Sequence, residues 1–197
     1  MNFGYSQIFL LIWIIAFWVF YALTYGKVEA KHERSMREKY KITSRWGPLF
    51  GVTLLVYTIL IFLYFFHHGF ANWWKIPLDN DPVKIVAMAI MCFAFLLNIL
   101  FILSVARSIK TGVEKGKRPK LVTTGIYHYI RHPAYFALCL AVFGTFLIIS
   151  NVPMLIFLLC TIVVVYGLTR EEEKKLIKVY GKEYEKYKNP NLKEGKK

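Results

Sequence analysis

Residues 85–106 read IVAMAIMCFAFLLNILFILSVA, a run without a single charged side chain. A helix rises about 1.5 Å per residue, so this stretch reaches across the roughly 30 Å hydrocarbon core of a bilayer. A core helix of a soluble domain alternates apolar and polar faces, whereas this run is apolar all round and reads as a membrane span. Its one amide, Asn98, is expected to serve as packing glue between helices and not as a ligand.

Four further apolar runs lie around it: 6–25 (SQIFLLIWIIAFWVFYALTY), 47–66 (GPLFGVTLLVYTILIFLYFF), 134–150 and 153–169. The last two are separated only by Asn151-Val152. Pro153 follows, where a first helical turn tolerates its missing N–H, so the pair predicts a tight helical hairpin. The run at 6–25 has no basic residue before it and no small-residue cleavage pattern after it, and is expected to be a retained helix. With 56% of its 197 residues hydrophobic and only 19% charged, the chain is expected to be one all-α integral membrane domain. It spans residues 1–197 and has five transmembrane helices at about 6–25, 47–66, 84–106, 134–150 and 153–169.

Charge predicts the orientation. Basic residues crowd 27–45, 107–131 and 170–197, while the 67–82 loop carries only Lys75 and the Asn151-Val152 turn none. The positive-inside rule then puts the N-terminus outside and the C-terminus in the cytoplasm. Trp73 and Trp74 suit an aromatic belt on the outer side. The net charge of +14 is thereby spent on orientation and on anionic lipid, which removes nucleic acid as an expected partner. Cys92, Cys139 and Cys160 all lie in apolar runs without a CxxC spacing, so neither a zinc site nor a disulfide framework is expected. His67 and His68 are adjacent and cannot both face one metal from a helix. The loop 112–118 (GVEKGKR) lacks the spacing and the Ser/Thr of a phosphate-binding loop.

Chemistry is expected on the cytoplasmic side, where two stretches emerge together from the predicted hairpin. The first is 117–135 (KRPKLVTTGIYHYIRHPAY) and the second 170–188, beginning Arg170-Glu171-Glu172-Glu173. Each has a plain alternative: stop-transfer arginines, a proline helix start, and an interfacial helix whose Leu176, Tyr180, Tyr184 and Tyr187 face lipid headgroups. The three acids are less easily accounted for. At an anionic membrane surface they need cationic partners, which the 117–135 loop supplies.

These two stretches resemble the isoprenylcysteine carboxyl methyltransferase family, whose wider relatives include the phospholipid N-methyltransferases. The pattern LV-x-x-G-x-Y-x-x-x-RHP-x-Y is met by Leu121, Val122, Gly125, Tyr127, Arg131, His132, Pro133 and Tyr135. Its second half, EE-x-x-L-x-x-x-[FY]-G-x-x-Y-x-x-Y, is met by Glu172, Glu173, Leu176, Tyr180, Gly181, Tyr184 and Tyr187. The resemblance covers about 120–188. It implies a membrane enzyme that uses S-adenosylmethionine to methylate a lipophilic or prenylated acceptor, without an obligate protein partner. Lys120, Leu121 and Val122 would border the adenosine; Tyr127, His132, Pro133, Ala134 and Tyr135 would continue the wall; Glu172 would bind the polar end. Arg131 and Arg170 are the expected catalytic residues. Leu168 stands where the carboxyl methyltransferases often carry Arg, which bears on the acceptor: an isoprenylcysteine-type carboxylate, or the amine of a phospholipid or small molecule. A membrane reductase using NADPH and a non-catalytic scaffold are the rival classes.

Overall fold

In lipid every backbone N–H and C=O must be satisfied within its own segment, and helices do this. The computed structural model describes residues 4–25, 46–66, 70–78, 80–114 and 121–189. Helix α1 (Tyr5–Phe20) runs into a π turn at Tyr21–Tyr25, and α2 covers Gly47–Phe66. After a 3₁₀ turn at Phe70–Asn72 come α3 (Asp81–Glu114), the one-turn α4 (Ile126–Tyr129), α5 (Pro133–Ile149), α6 (Val152–Tyr180) and α7 (Lys182–Lys188).

Among the described residues, four helices are long and apolar enough to cross a membrane: Tyr5–Leu23, Pro48–Phe66, Asp81–Val105 and Val152–Tyr180. The expected fourth span, α5, has 17 residues and so reaches only about 26 Å. It differs from the five-span expectation for that reason of length. Its two ends still lie near opposite ends of the bundle: Tyr135 meets Phe50 near the start of α2 at 6.2 Å, while its far end turns beside the loop at 70–78. There Ser150, in the left-handed region at φ 50°, reverses the chain. Asn151 caps α6 by accepting from the Met154 N–H at 3.0 Å and donates to the Phe70 carbonyl at 2.9 Å. Ile76 N–H to Ser150 C=O and Val152 N–H to Trp74 C=O complete the join. Trp73 and Trp74 are exposed beside it.

The core lies between the spans. α5 packs most extensively on α3 through small side chains, with Ala87 and Ala94 of α3 and Ala137 and Ala141 of α5 all buried. Small residues let helix backbones approach closely where no hydrophobic drive exists between helices. One polar node crosses this core: Tyr57 Oη and Thr145 Oγ1 lie 2.7 Å apart, and the Tyr57 ring stacks on Phe157 at 6.1 Å. Asn98, expected to bridge helices, instead donates to the Ala94 carbonyl of its own helix at 3.2 Å. The outward faces carry Ile12, Leu55, Phe62, Phe93 and Val163, all exposed, a surface that suits lipid. Cys92 and Cys160 sit there as free thiols.

The expected interfacial helix takes a different form. α6 continues unbroken to Tyr180, and Gly181 (φ 56°) then turns the chain into α7. Val179, Tyr180 and Tyr184 are buried as a second cluster, with Leu121, Leu176 and Tyr187 packed on it. The tyrosine face thus packs on protein, against the alternative in which it lies on lipid headgroups.

A Cβ on Gly144 would lie 2.5 Å from Met91 Cγ and 2.9 Å from the Ala87 carbonyl oxygen, whereas one on Gly51 meets nothing within 4 Å. Gly144→Ala is therefore expected to cost about 1–3 kcal/mol by overpacking. Gly51→Ala should be neutral or stabilising by up to about 1 kcal/mol. Thermal unfolding in one detergent checks both; equal effects would contradict the close α3–α5 approach.

Candidate active site

The apolar part of α6 ends at Leu168, and Thr169 and Arg170 lead into Glu171-Glu172-Glu173. Successive helix residues point about 100° apart, so the three neighbouring carboxylates meet distinct, partly overlapping sets of partners. Glu171 Oε2 accepts from the Trp46 backbone N–H at 3.1 Å, just before α2, and Oε1 pairs with Lys175 at 3.3 Å. Glu172 Oε2 lies 3.2 Å from His132 Nδ1. Glu173 takes Lys188 Nζ at 2.6 Å on one oxygen, while the other faces Arg131 Nη1 at 3.4 Å and His132 Nε2 at 3.8 Å. The segment before α5, the start of α2 and the end of α7 are all tied to one turn of α6.

The residues facing this turn owe their placement to local chemistry. Gly125 (φ 67°) permits the turn into α4, and Ile130 is extended. His132 stands at the N-terminal boundary of α5 without a side-chain capping bond, and Pro133 occupies its first turn, as its fixed φ favours. The His132 ring stacks on Tyr135 at 6.0 Å with 17° between planes. Its Nε2 is buried without a hydrogen-bond partner. Tyr127 lies against Phe101 at 6.3 Å, and its carbonyl accepts from the Tyr187 hydroxyl.

Between these groups lies a cavity that opens to the surface. Seven of the expected site residues line it: Tyr127, Arg131, His132, Pro133, Ala134, Tyr135 and Glu172. Leu121 and Val122 are half-buried but are not among its lining residues; Leu121 belongs to the cluster around Tyr184. Arg170 also lies off the wall: its guanidinium bonds the Tyr166 hydroxyl and sits 5.0 Å over that ring. Lys120 falls outside the described residues. Phe101 lines the cavity from α3 without any motif to announce it, and Lys188 was equally silent. Among the described residues, no group of His, Cys, Asp and Glu could hold a metal ion.

Electrostatics distinguishes the acids. Burial opposes ionisation of Glu173, but the Lys188 hydrogen bond and the charges of Lys188, Arg131 and His132 outweigh it and hold its carboxyl below the usual range. Burial, reinforced by the negative charge of Glu173, pushes the Tyr184 phenol well above its ordinary value. Glu172 is the more exposed acid, with 42% of its side chain accessible against 14% for Glu173.

A family model for phospholipid methyltransferases matches residues 83–183, which takes in the residues that line the cavity, the first half of the paired motif and the second half as far as Gly181. The chain belongs to the phospholipid methyltransferase family. A methanethiol S-methyltransferase of Crocosphaera subtropica is 28% identical over 144 residues, covering 73% of this chain and 50% of that protein. The chain therefore spans about half the length of the curated relative it matches. No solved structure matches. Membership of this family and the apolar helices make the chain an integral membrane protein.

A lowered carboxyl adds stability that is complete above the ordinary carboxylate range and is lost as pH falls through the lower folded-state value. Glu173→Gln is thus expected to lower the unfolding temperature at neutral pH and to flatten its decline in acid. Thermal unfolding measured across acid pH tests this; a decline as steep as the wild type's would contradict the pairing.

Proposed function

We propose that the chain is a membrane methyltransferase that takes a methyl group from S-adenosylmethionine and gives it to a lipophilic acceptor. One observation carries this: aromatic faces and a carboxylate converge in one cavity at the end of the apolar helices, with Tyr127, Tyr135 and Glu172 in its wall. Bound there, S-adenosylmethionine supplies a methyl group on a positively charged sulfur. The residues fit such a group. Tyrosine faces stabilise a nearby cation by roughly 0.5–2 kcal/mol, and Glu172, only partly occupied by His132, can accept from an ammonium. His132 is held by Glu172 and stacked on Tyr135, and its buried Nε2 faces Glu173 at 3.8 Å without a hydrogen bond. Lys120, Leu121 and Val122 are proposed to border the nucleoside. Methyl transfer is an in-line displacement, so most of the catalytic gain is positional, and a wall locked by stacking and ion pairs suits it. The density of basic residues around these segments supports a cytoplasm-facing site, with acceptors arriving from the surrounding lipid.

The acceptor is proposed to be a carboxylate of isoprenylcysteine type, aimed by Arg131 or Arg170. A second reading, a lipophilic amine or thiol, is favoured by a specific observation. Arg131 is paired with Glu173 and Arg170 with Tyr166, so a carboxylate would have to share its guanidinium with an existing partner, whereas a neutral nucleophile needs none. The name of the S-methyltransferase relative agrees with that second reading.

Titration calorimetry with S-adenosylhomocysteine tests the site. Glu172→Ala and His132→Ala are expected to abolish binding, and Arg170→Ala to keep it within about threefold, as for a side chain off the wall. Binding unchanged in the first two variants, or NADPH bound in place of the nucleoside, would contradict the assignment. Methyl-labelled cofactor given to membranes then sorts the acceptor. Base-labile label marks an ester, base-stable lipid label an amine, and a labelled thioether a thiol.

A further inference from the structure

The shortest polar contact to the acidic turn of α6 comes from a residue outside both halves of the motif. Lys188 Nζ lies 2.6 Å from Glu173 Oε2, while Arg131 and His132 approach the other oxygen only at 3.4 and 3.8 Å. The tight contact sets where the carboxylate sits, and the looser ones follow it, since charge-assisted bonds strengthen at short range. Lys188 ends α7, which returns to α6 because Gly181 (φ 56°) breaks the helix between them. Two neighbours on α7 hold the same approach: Tyr187 donates to the Tyr127 carbonyl, and Tyr184 is buried against Val179 and Tyr180. α7 therefore grips the cavity wall from both sides, through Tyr127 and through Glu173.

We propose that Lys188 is a positioning residue, which acts through Glu173 to hold Arg131 and His132 in the cavity wall. The proposal deepens the reading of that cavity as a methyl-donor site and rests on it. Without the lysine, Glu173 loses its nearest cation, Arg131 becomes the strongest remaining attraction, and both the carboxylate and the wall are drawn out of register. The charged and titratable groups around Glu173 are Lys188 and Tyr184 from α7, Arg131 and His132 before α5, and Glu172 beside it. Removing Lys188 removes the hydrogen bond that does most to lower the Glu173 carboxyl, so any property that needs this carboxylate ionised should fail at a higher pH.

The test uses the full chain in detergent, with S-adenosylhomocysteine as probe, well below the unfolding temperature. Lys188→Met is expected to weaken binding about tenfold and to move its acid limb to higher pH, with Lys188→Arg restoring both to within about twofold. Ligand-free unfolding of K188M, E173Q and the double variant should show coupling, the double variant being no less stable than E173Q alone. Wild-type affinity and acid limb in K188M would overturn the proposal, even where the unfolding temperature falls, because a purely structural contact would do no more. Should the wild type itself bind no S-adenosylhomocysteine, the methyl-donor reading fails by that result. The ligand-free cycle then decides the couple separately, and strictly additive effects would overturn it.

Discussion

Three consecutive carboxylates at the end of an apolar helix impose the constraint on which the rest of this protein depends. Glu171, Glu172 and Glu173 follow a segment suited to lipid, and their helical spacing sends them in three directions. A partly buried carboxylate left unpaired is expensive, and its cost is felt mainly when a partner is removed. The chain meets that cost by bringing three segments to the acids: the N–H before α2 to Glu171, the Arg131-His132 segment to Glu172 and Glu173, and the lysine at the end of α7 to Glu173. One helical turn thus organises segments far apart in sequence, and the cavity forms where they meet.

The membrane helices serve this arrangement. The two-residue reversal at Ser150-Asn151 forces α5 and α6 to run antiparallel, which sets His132 at the start of one beside Glu172 near the end of the other. The close α3–α5 contact around Gly144 then brings Phe101 to the same end of the bundle as Tyr127. The shortness of α5 is compatible with its position, since its C-terminal end is covered by the loop at 70–78 as well as by neighbouring helices. Belonging to a methyltransferase family fits a design in which membrane helices bring a polar cleft to the edge of the lipid.

Much of this was legible in the sequence, and the failures have physical causes. The apolar runs were readable because lipid permits few alternatives to a helix, although length alone left α5 short of a span. The meeting of the 117–135 segment with the acids was readable because acids beside a membrane demand cationic partners, whereas the individual residues from Arg131 to Tyr135 and Glu172 were singled out by the resemblance of the paired motif. Periodicity revealed that Leu176, Tyr180, Tyr184 and Tyr187 share a face, but period does not say what covers a face; here it is Leu121 and the cluster around Val179. Arg170 is absent from the cavity lining because Tyr166, one turn earlier on its own helix, holds the guanidinium. Phe101 and Lys188 were out of reach, since each enters the site through tertiary packing alone.

The central claim is that the turn bearing Glu172 and the segment bearing His132 form one site for a nucleoside methyl donor. A structure of the chain in lipid nanodiscs, determined with S-adenosylhomocysteine, tests it most directly. The account predicts ligand density against the Tyr135 ring, with polar atoms within about 3 Å of Glu172 or His132. Density elsewhere in the bundle, or an intact cavity wall with no ligand at saturating concentration, would contradict it.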